Sequence, residues 1–272
     1  EDIDFFIDNN VKQVKLVDRT FNCHQERCIN IMDYIIKKGG NTNFHLEISS
    51  KLISSEFLSL VEKAPRRLFQ FEIGIQTTNP HTLKAIKRKE PFEDIKENIS
   101  KLLDLNVGHI HLDLIAGLPY EDLDSFKNSF DQAYSLQPDM LQLGFLKLLK
   151  GSGLRKKAAK YGIRYHSHSP YEVISTNDLS YNDIITLKGV EDLLEKYYNS
   201  GRFKKSLSFI IKEYFDSPFE FYLSLYEYFY KKGLVDRSLR QVYLYTILYN
   251  YISDNFRITT RFNEFLKYDY FI

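Results

Sequence analysis

The stretch His109-Ile110-His111-Leu112-Asp113-Leu114-Ile115-Ala116-Gly117-Leu118-Pro119 decides the fold. In an extended strand, successive side chains point to opposite faces. That rule puts His109, His111 and Asp113 on one face and Ile110, Leu112 and Leu114 on the other. Two earlier apolar runs also carry a carboxylate: Glu47 within Phe44–Ile48, and Glu72 within Phe69–Ile75. A carboxylate in a buried strand is costly unless it is paired or hydrogen-bonded. A closed or half-closed barrel has a polar mouth that gathers such groups, whereas a doubly wound sheet is covered on both faces. Three successive carboxylate-bearing strands therefore favour a barrel. Structural ion pairs with Lys and Arg across the mouth are the plainer alternative.

Outward from this stretch, strand-like and helix-like runs alternate. The strands read as residues 14–17, 44–48, 69–75, 109–116 and 140–146, and the helices as 25–38, 54–63, 91–105 and 123–136. Ser54 and Ser55 suit a helix N-cap, and Gly39-Gly40 closes the helix before them. Strand starts lie about 25 to 40 residues apart, the size of a βαβ unit, which implies a parallel sheet. After Gly151-Ser152-Gly153 the pattern breaks. A short helix over 154–161 ends at Gly162, and Arg164 to Ser180 reads as linker or irregular loop. Helices follow at 182–199, 204–215, 218–232 and 238–253, then a short tail. The expected architecture is α/β. A partial (β/α) barrel with parallel strands over 1–165 leads through a linker, 166–180, to a mainly α-helical C-terminal domain, 181–272.

Composition narrows the function classes. The 272 residues carry 37 basic and 36 acidic side chains, with no cationic excess for a phosphate-backbone partner. No apolar run reaches the roughly 18 to 20 residues of a membrane span, and no signal-peptide pattern opens the chain. The two cysteines, Cys23 and Cys28, are too few for a disulfide framework and suit a reducing cytoplasm. The expected partner is a small-molecule substrate, with neither nucleic acid nor membrane. Phe and Tyr are abundant beyond residue 196, where they read as core or as packing on the barrel or a second chain.

The strand ends, in order, resemble the radical S-adenosylmethionine (SAM) enzymes, and more narrowly the class with an upstream cobalamin-binding domain. That class is often labelled oxidative cyclase of magnesium-protoporphyrin monomethyl ester. The resemblance covers roughly residues 1–165. Val17-Asp18-Arg19-Thr20-Phe21-Asn22 resembles an Asp-rich turn after the second barrel strand. Glu72-Ile73-Gly74-Ile75-Gln76-Thr77 resembles E-x-G-x-Q-[ST], and Leu83, Ile86 and Arg88 resemble the following L-x-x-I-x-R helix. Asp113 to Pro119 resembles D-x-I-x-G-L-P, and Gly151-Ser152 stands where the family has G-T.

The family signature C-x-x-x-C-x-x-C, whose three thiolates hold a 4Fe-4S cluster, is absent. Cys23 and Cys28 are spaced C-x-x-x-x-C with no third. With a helix leading from Glu1 straight into a strand, the chain reads as a fragment whose first β/α unit is missing. The resemblance implies SAM and a 4Fe-4S cluster in the intact parent, with cobalamin as a further cofactor. It implies cleavage of SAM to a 5′-deoxyadenosyl radical, in which the cofactor carries the hard chemistry. The fragment alone is expected to be inactive.

Carried over residue by residue, Asp18, Arg19 and Thr20 would approach the SAM amino group or the substrate. Glu72 and Gln76 would lie near the ribose hydroxyls. Ile115, Gly117 and Leu118 would flank the adenine, with Leu146 and Lys147 offering backbone contacts. Gly117 suits the role because a bare backbone comes close to a flat ring. Glu47, His111 and Asp113 fall on the substrate side. No metal ligands are assigned: Cys23-His24 with Cys28 lacks a fourth group, and His166-Ser167-His168 sits in a polar linker. Asp18, Thr20 and Asn22 as helix caps are the structural alternative. Two other functions compete: a metal-dependent β/α-barrel hydrolase or isomerase using Glu47, Glu72, His111 and Asp113, and a helical partner-binding module at the C-terminus.

Overall fold

The computed structural model describes residues 1–88 and 90–271, so Ile272, the end of the expected helical domain, lies outside the described residues. Helix α1, Asp2–Asp8, leads into strand β1, Gln13–Lys15. Then come α2 (Gln25–Lys38), β2 (Asn43–Ile48), α3 (Ser55–Glu62), β3 (Phe69–Gln76), α4 (Pro80–Ala85), α5 (Phe92–Asp104), β4 (His109–Ala116), α6 (Leu123–Ser135) and β5 (Met140–Phe145). The strands form one parallel sheet in chain order, β1-β2-β3-β4-β5. A doubly wound sheet reverses its order at a switch point. This one does not, so the half-barrel expectation holds.

The chain divides into two compact units, residues 1–114 with 135–140, and residues 115–134 with 141–272. In the first unit the sheet is amphipathic. Phe44, Leu46 and Ile48 of β2, Phe71 and Ile73 of β3, and Ile110 and Leu112 of β4 are buried. So are Met32 and Ile35 of α2, Phe57 and Val61 of α3, and Ile95 and Ile99 of α5. Each such side chain contributes about 1.5–3 kcal/mol. Several of them per strand outweigh the cost of the polar side chains at the alternate positions.

Ser54 caps α3, its hydroxyl accepting from Phe57 N at 3.1 Å. The capping alternative for Asp18, Thr20 and Asn22 fails, because the cap position of α2 is His24 and carries no side-chain bond. Asn22 instead ties two loops together: its amide donates to Ser49 O and accepts from Ser49 N, both at 2.9 Å. Val17, expected in the first strand, is 92% exposed, and β1 stops at Lys15. Its ladder ends where Leu16 N donates to His45 O.

In the second unit, the expected helix over 154–161 is two short 3-10 turns, Arg155–Lys157 and Ala159–Tyr161. The stretch read as irregular contains an antiparallel pair, β6 (Arg164–Tyr165) and β7 (Val173–Ser175). Helix α7, Tyr181–Leu194, starts on a Ser180–Asp183 capping box and continues as a wider π-type turn, Glu195–Asn199. Helices α8 (Lys204–Tyr214), α9 (Pro218–Lys231), α10 (Gln241–Asn255) and α11 (Thr260–Phe271) follow. The expected tail is thus a full helix. Its Asp269 is buried and accepts from Ser206 N at 2.7 Å and Ser206 Oγ at 2.6 Å, capping α8 from a distance. Part of the aromatic excess is core, where Phe130 of α6 packs edge-on against Phe219 and Tyr222 of α9, while Tyr230, Tyr243, Tyr268 and Phe271 are exposed. No helix among the described residues is long and apolar enough to cross a membrane.

Candidate functional site

The polar face of the first unit's sheet carries Gln13 and Lys15 from β1, and His45 and Glu47 from β2. It also carries Glu72 and Gln76 from β3, and His111 and Asp113 from β4. The register aligns them: Glu47 pairs with Glu72, Glu72 with His111, and Gly74 with Asp113. Glu72 and Asp113 therefore share one face and one end of the sheet, as the sequence reading required. Like charges placed opposite each other on neighbouring strands repel, so their partners matter. Lys15 Nζ lies 2.8 Å and His45 Nε2 2.7 Å from Glu72 Oε2, and His111 Nε2 lies 3.0 Å from Asp113 Oδ1.

These surroundings drive the acids apart. Burial raises the Asp113 carboxyl, and Glu72 beside it raises it further; the His111 contact only partly offsets this. Burial also raises Glu47, with the Glu72 charge adding to it. Burial acts on Glu72 in the same sense, but the hydrogen-bonded Lys15 ammonium outweighs it and holds that carboxyl below its ordinary value. Burial lowers His45, and the Lys15 charge lowers it further, favouring the neutral ring. Neighbouring titratable groups with divergent proton affinities are characteristic of functional sites.

A cleft of about 380 Å³ opens at the carboxyl ends of β2 to β4, with Arg19, Thr20, Glu47, Gln76, Arg88 and Asp113 among the residues that line it. Gln76 is in the left-handed region, φ 69°, at a register shift in β3. Such strain in a non-glycine residue persists only where its surroundings hold it, and it concentrates at functional sites. The glycine two residues earlier makes room: a Cβ on Gly74 would stand 2.2 Å from Gln76 Nε2. Arg88 follows α4 and folds back, its Nη1 donating to Gly74 O at 2.6 Å. That bond fixes one arm of the guanidinium and leaves further N–H groups for an anion.

Of the residues assigned from sequence, the cleft gathers Arg19, Thr20, Gln76, Glu47 and Asp113. Asp18 is drawn to Arg27, 3.2 Å away. Glu72 is held by Lys15 and His45, and His111 by Asp113; neither lines the cleft. Ile115, Gly117, Leu118, Leu146 and Lys147 belong to the second unit. There Leu146 N donates to Ala116 O at 3.0 Å, and Val173 N donates to Leu146 O at 2.8 Å. Gly117, at φ 87°, lies against Val173.

Sequence reasoning left two residues without a role. Arg88 was visible only as the end of a helix pattern. His45 went unremarked, although Asn43-His45-Glu47 repeats the polar alternation of His109-His111-Asp113.

Residues 1–133 match the radical SAM superfamily. The chain carries a radical SAM domain. Residues 159–272 match a second family, described as Protein of unknown function (DUF4080). Among curated relatives, the anaerobic coproporphyrinogen III oxidase 1 of Cereibacter sphaeroides is 30% identical over 101 residues, covering 37% of this chain and 22% of that protein. The chain spans about a fifth of the length of the curated relatives it matches. Among solved structures, the HemN coproporphyrinogen III oxidase of Escherichia coli superposes with a TM-score of 0.51 at 16% identity, covering 68% of this chain and 40% of that one. The radical SAM methyltransferase TsrM of Kitasatospora setae, with cobalamin and a [4Fe-4S] cluster bound, gives 0.51 at 12% identity, covering 62% and 33%. At these identities the likeness is one of fold.

The domain implies SAM and a 4Fe-4S cluster. The cleft fits SAM, whose amino group and ribose hydroxyls suit carboxylates and whose carboxylate suits a guanidinium. The cysteines do not fit the cluster, which requires three thiolates. Cys28 is fully buried with its Sγ 3.8 Å from Met32 Sδ, and burial pushes its thiol up to about 12; Cys23 is exposed.

Proposed function

We propose that the cleft between Glu47, Gln76, Arg88 and Asp113 holds SAM for a radical SAM oxidoreductase acting on a small molecule. The observation that carries this reading is convergence: two half-buried carboxylates and a pinned guanidinium face one cavity at the carboxyl ends of three adjacent strands. When cleaved by one electron, SAM supplies a hydrogen-abstracting radical in this superfamily. In this chain Arg88 would anchor the SAM carboxylate. Glu47 and Asp113 would accept from its amino and hydroxyl groups, and strained Gln76 would close the side of the cleft. Glu72, turned to Lys15, is released from the ribose role that the motif suggested. A cobalamin partner is part of the proposal on the likeness to TsrM, and no residue of this chain is assigned to it.

The test is calorimetric titration of the chain with SAM and with S-adenosylhomocysteine. Charge-assisted bonds contribute about 1.5–3 kcal/mol each. Arg88→Met and Glu47→Gln should therefore each weaken binding about tenfold or more. No binding by the wild type, or wild-type affinity in both variants, overturns the assignment.

A further inference from the structure

On the same polar face, outside the lining of the cleft, three side chains meet that SAM binding leaves unused. His45, Glu72 and His111 stand on adjacent strands, and each can offer one ligand atom such that all lie within 4.8 Å of one another. Both imidazoles are buried, and Glu72 is half-buried. The rings are 6.4 Å apart between centroids and inclined at 45°. They are tilted and do not stack.

Two imidazoles and one carboxylate are a donor set for Zn²⁺ or Fe²⁺. With bonds of about 2.1 Å, ligand atoms on a tetrahedral ion stand roughly 3.4 Å apart. Ligand atoms within 4.8 Å of one another reach that spacing by side-chain rotations that close each gap by at most roughly 1.4 Å. His111 also has the carboxylate partner that metal-bound histidines usually keep, in Asp113 at 3.0 Å. The position is already attractive to a cation, because Lys15 reaches over from β1 to place its ammonium on Glu72. The Lys15 side chain is half exposed, so it can leave for solvent at little cost.

We propose that His45, Glu72 and His111 bind one divalent transition-metal ion, taking the place of the Lys15 ammonium on Glu72. Three protein ligands leave a coordination position open, as in catalytic metal sites. An oxygen-bearing substrate group would occupy it. The proposal stands independently of SAM binding.

The experiment is titration of Zn²⁺, and of Co²⁺ as a visible reporter, into the metal-stripped 272-residue chain. One equivalent should bind, with a Co²⁺ spectrum of nitrogen and oxygen ligation and no thiolate charge-transfer band. His45→Gln and His111→Gln should each lower affinity tenfold or more. Cys23→Ser and His166→Ala, at exposed alternative donors, should leave it unchanged. Lys15→Met should raise affinity by removing the competing cation, and its exposure keeps the variant folded if a histidine variant fails to fold. The proposal is overturned by no stoichiometric uptake in the wild type or by uptake indifferent to both histidine variants. Loss on Cys23→Ser, or no gain on Lys15→Met, overturns it equally.

Discussion

The ammonium of Lys15 on β1 lies 2.8 Å from Oε2 of Glu72 on β3, reaching across the full width of β2. This contact explains why Glu72 leaves the cleft to Glu47 and Asp113. It also separates the acids electrostatically: the carboxyl under the ammonium is held low while its neighbours are raised. With Lys15 half exposed, the pair contributes no more than about 1 kcal/mol to folding. Lys15→Met should therefore lower stability by at most that amount, as read by denaturant unfolding. A larger loss would mean the ion pair is a structural keystone of the sheet.

Arg88 should matter to ligand and not to fold. Its guanidinium donates to Gly74 O from the wall of the cleft, and the residue as a whole is exposed. Arg88→Met should weaken SAM binding about tenfold or more while shifting the unfolding midpoint little, because losing one such bond costs about 1 kcal/mol. Arg88→Lys should recover only part of the affinity, since an ammonium cannot offer a planar fork. Full recovery would show that charge alone suffices.

The docking of α1 on α2 should respond to acid. The Tyr34 hydroxyl, hydrogen-bonded to Asp4, together with Lys38 holds the Asp4 carboxyl down from 3.8 to about 2. A depressed carboxylate contributes stability that is complete above its ordinary value and lost as pH falls through the folded value. The stability difference between wild type and Asp4→Asn should thus be constant above pH about 4 and shrink toward pH about 2. Salt should reduce it throughout, because the group is exposed. Thermal unfolding at stepped pH measures this, and a difference flat across the acid range contradicts it.

Gly117 should resist substitution for two separable reasons. Its φ of 87° disfavours any side chain, and a Cβ would meet Val173 Cγ1 at 2.7 Å. Gly117→Ala should cost about 1–3 kcal/mol. Adding Val173→Ala should relieve the clash but not the backbone strain, so the recovery should be partial. Complete rescue, measured against Val173→Ala alone, would leave the backbone argument without support.

Asp269 should carry more stability than its place in the last helix suggests. Its buried carboxylate serves the first turn of α8 through Ser206 N and Oγ. Asp269→Ala leaves those donors buried and unmatched, at about 1–3 kcal/mol. Asp269→Asn should keep part of that. Hydrogen exchange at the start of α8 reports the local effect, and unchanged protection there argues against the cap.

The sequence by itself determined the five parallel strands of the main sheet, to within a residue or two, and their polar face. Those properties are local: period-two alternation and turn punctuation are written into neighbouring residues. Thus β4 matches its expected bounds, and Glu72 and Asp113 share one end and one face as the alternation demanded. Only the tertiary structure decided how that face is used. Whether Glu72 serves the cleft or Lys15, and whether His45 meets His111, depends on contacts between residues 57 and 66 positions apart in sequence. No local pattern encodes those distances. The cap that Asp269 provides and the hairpin of β6 and β7 belong to the same class, being set by packing between elements that propensity treats separately.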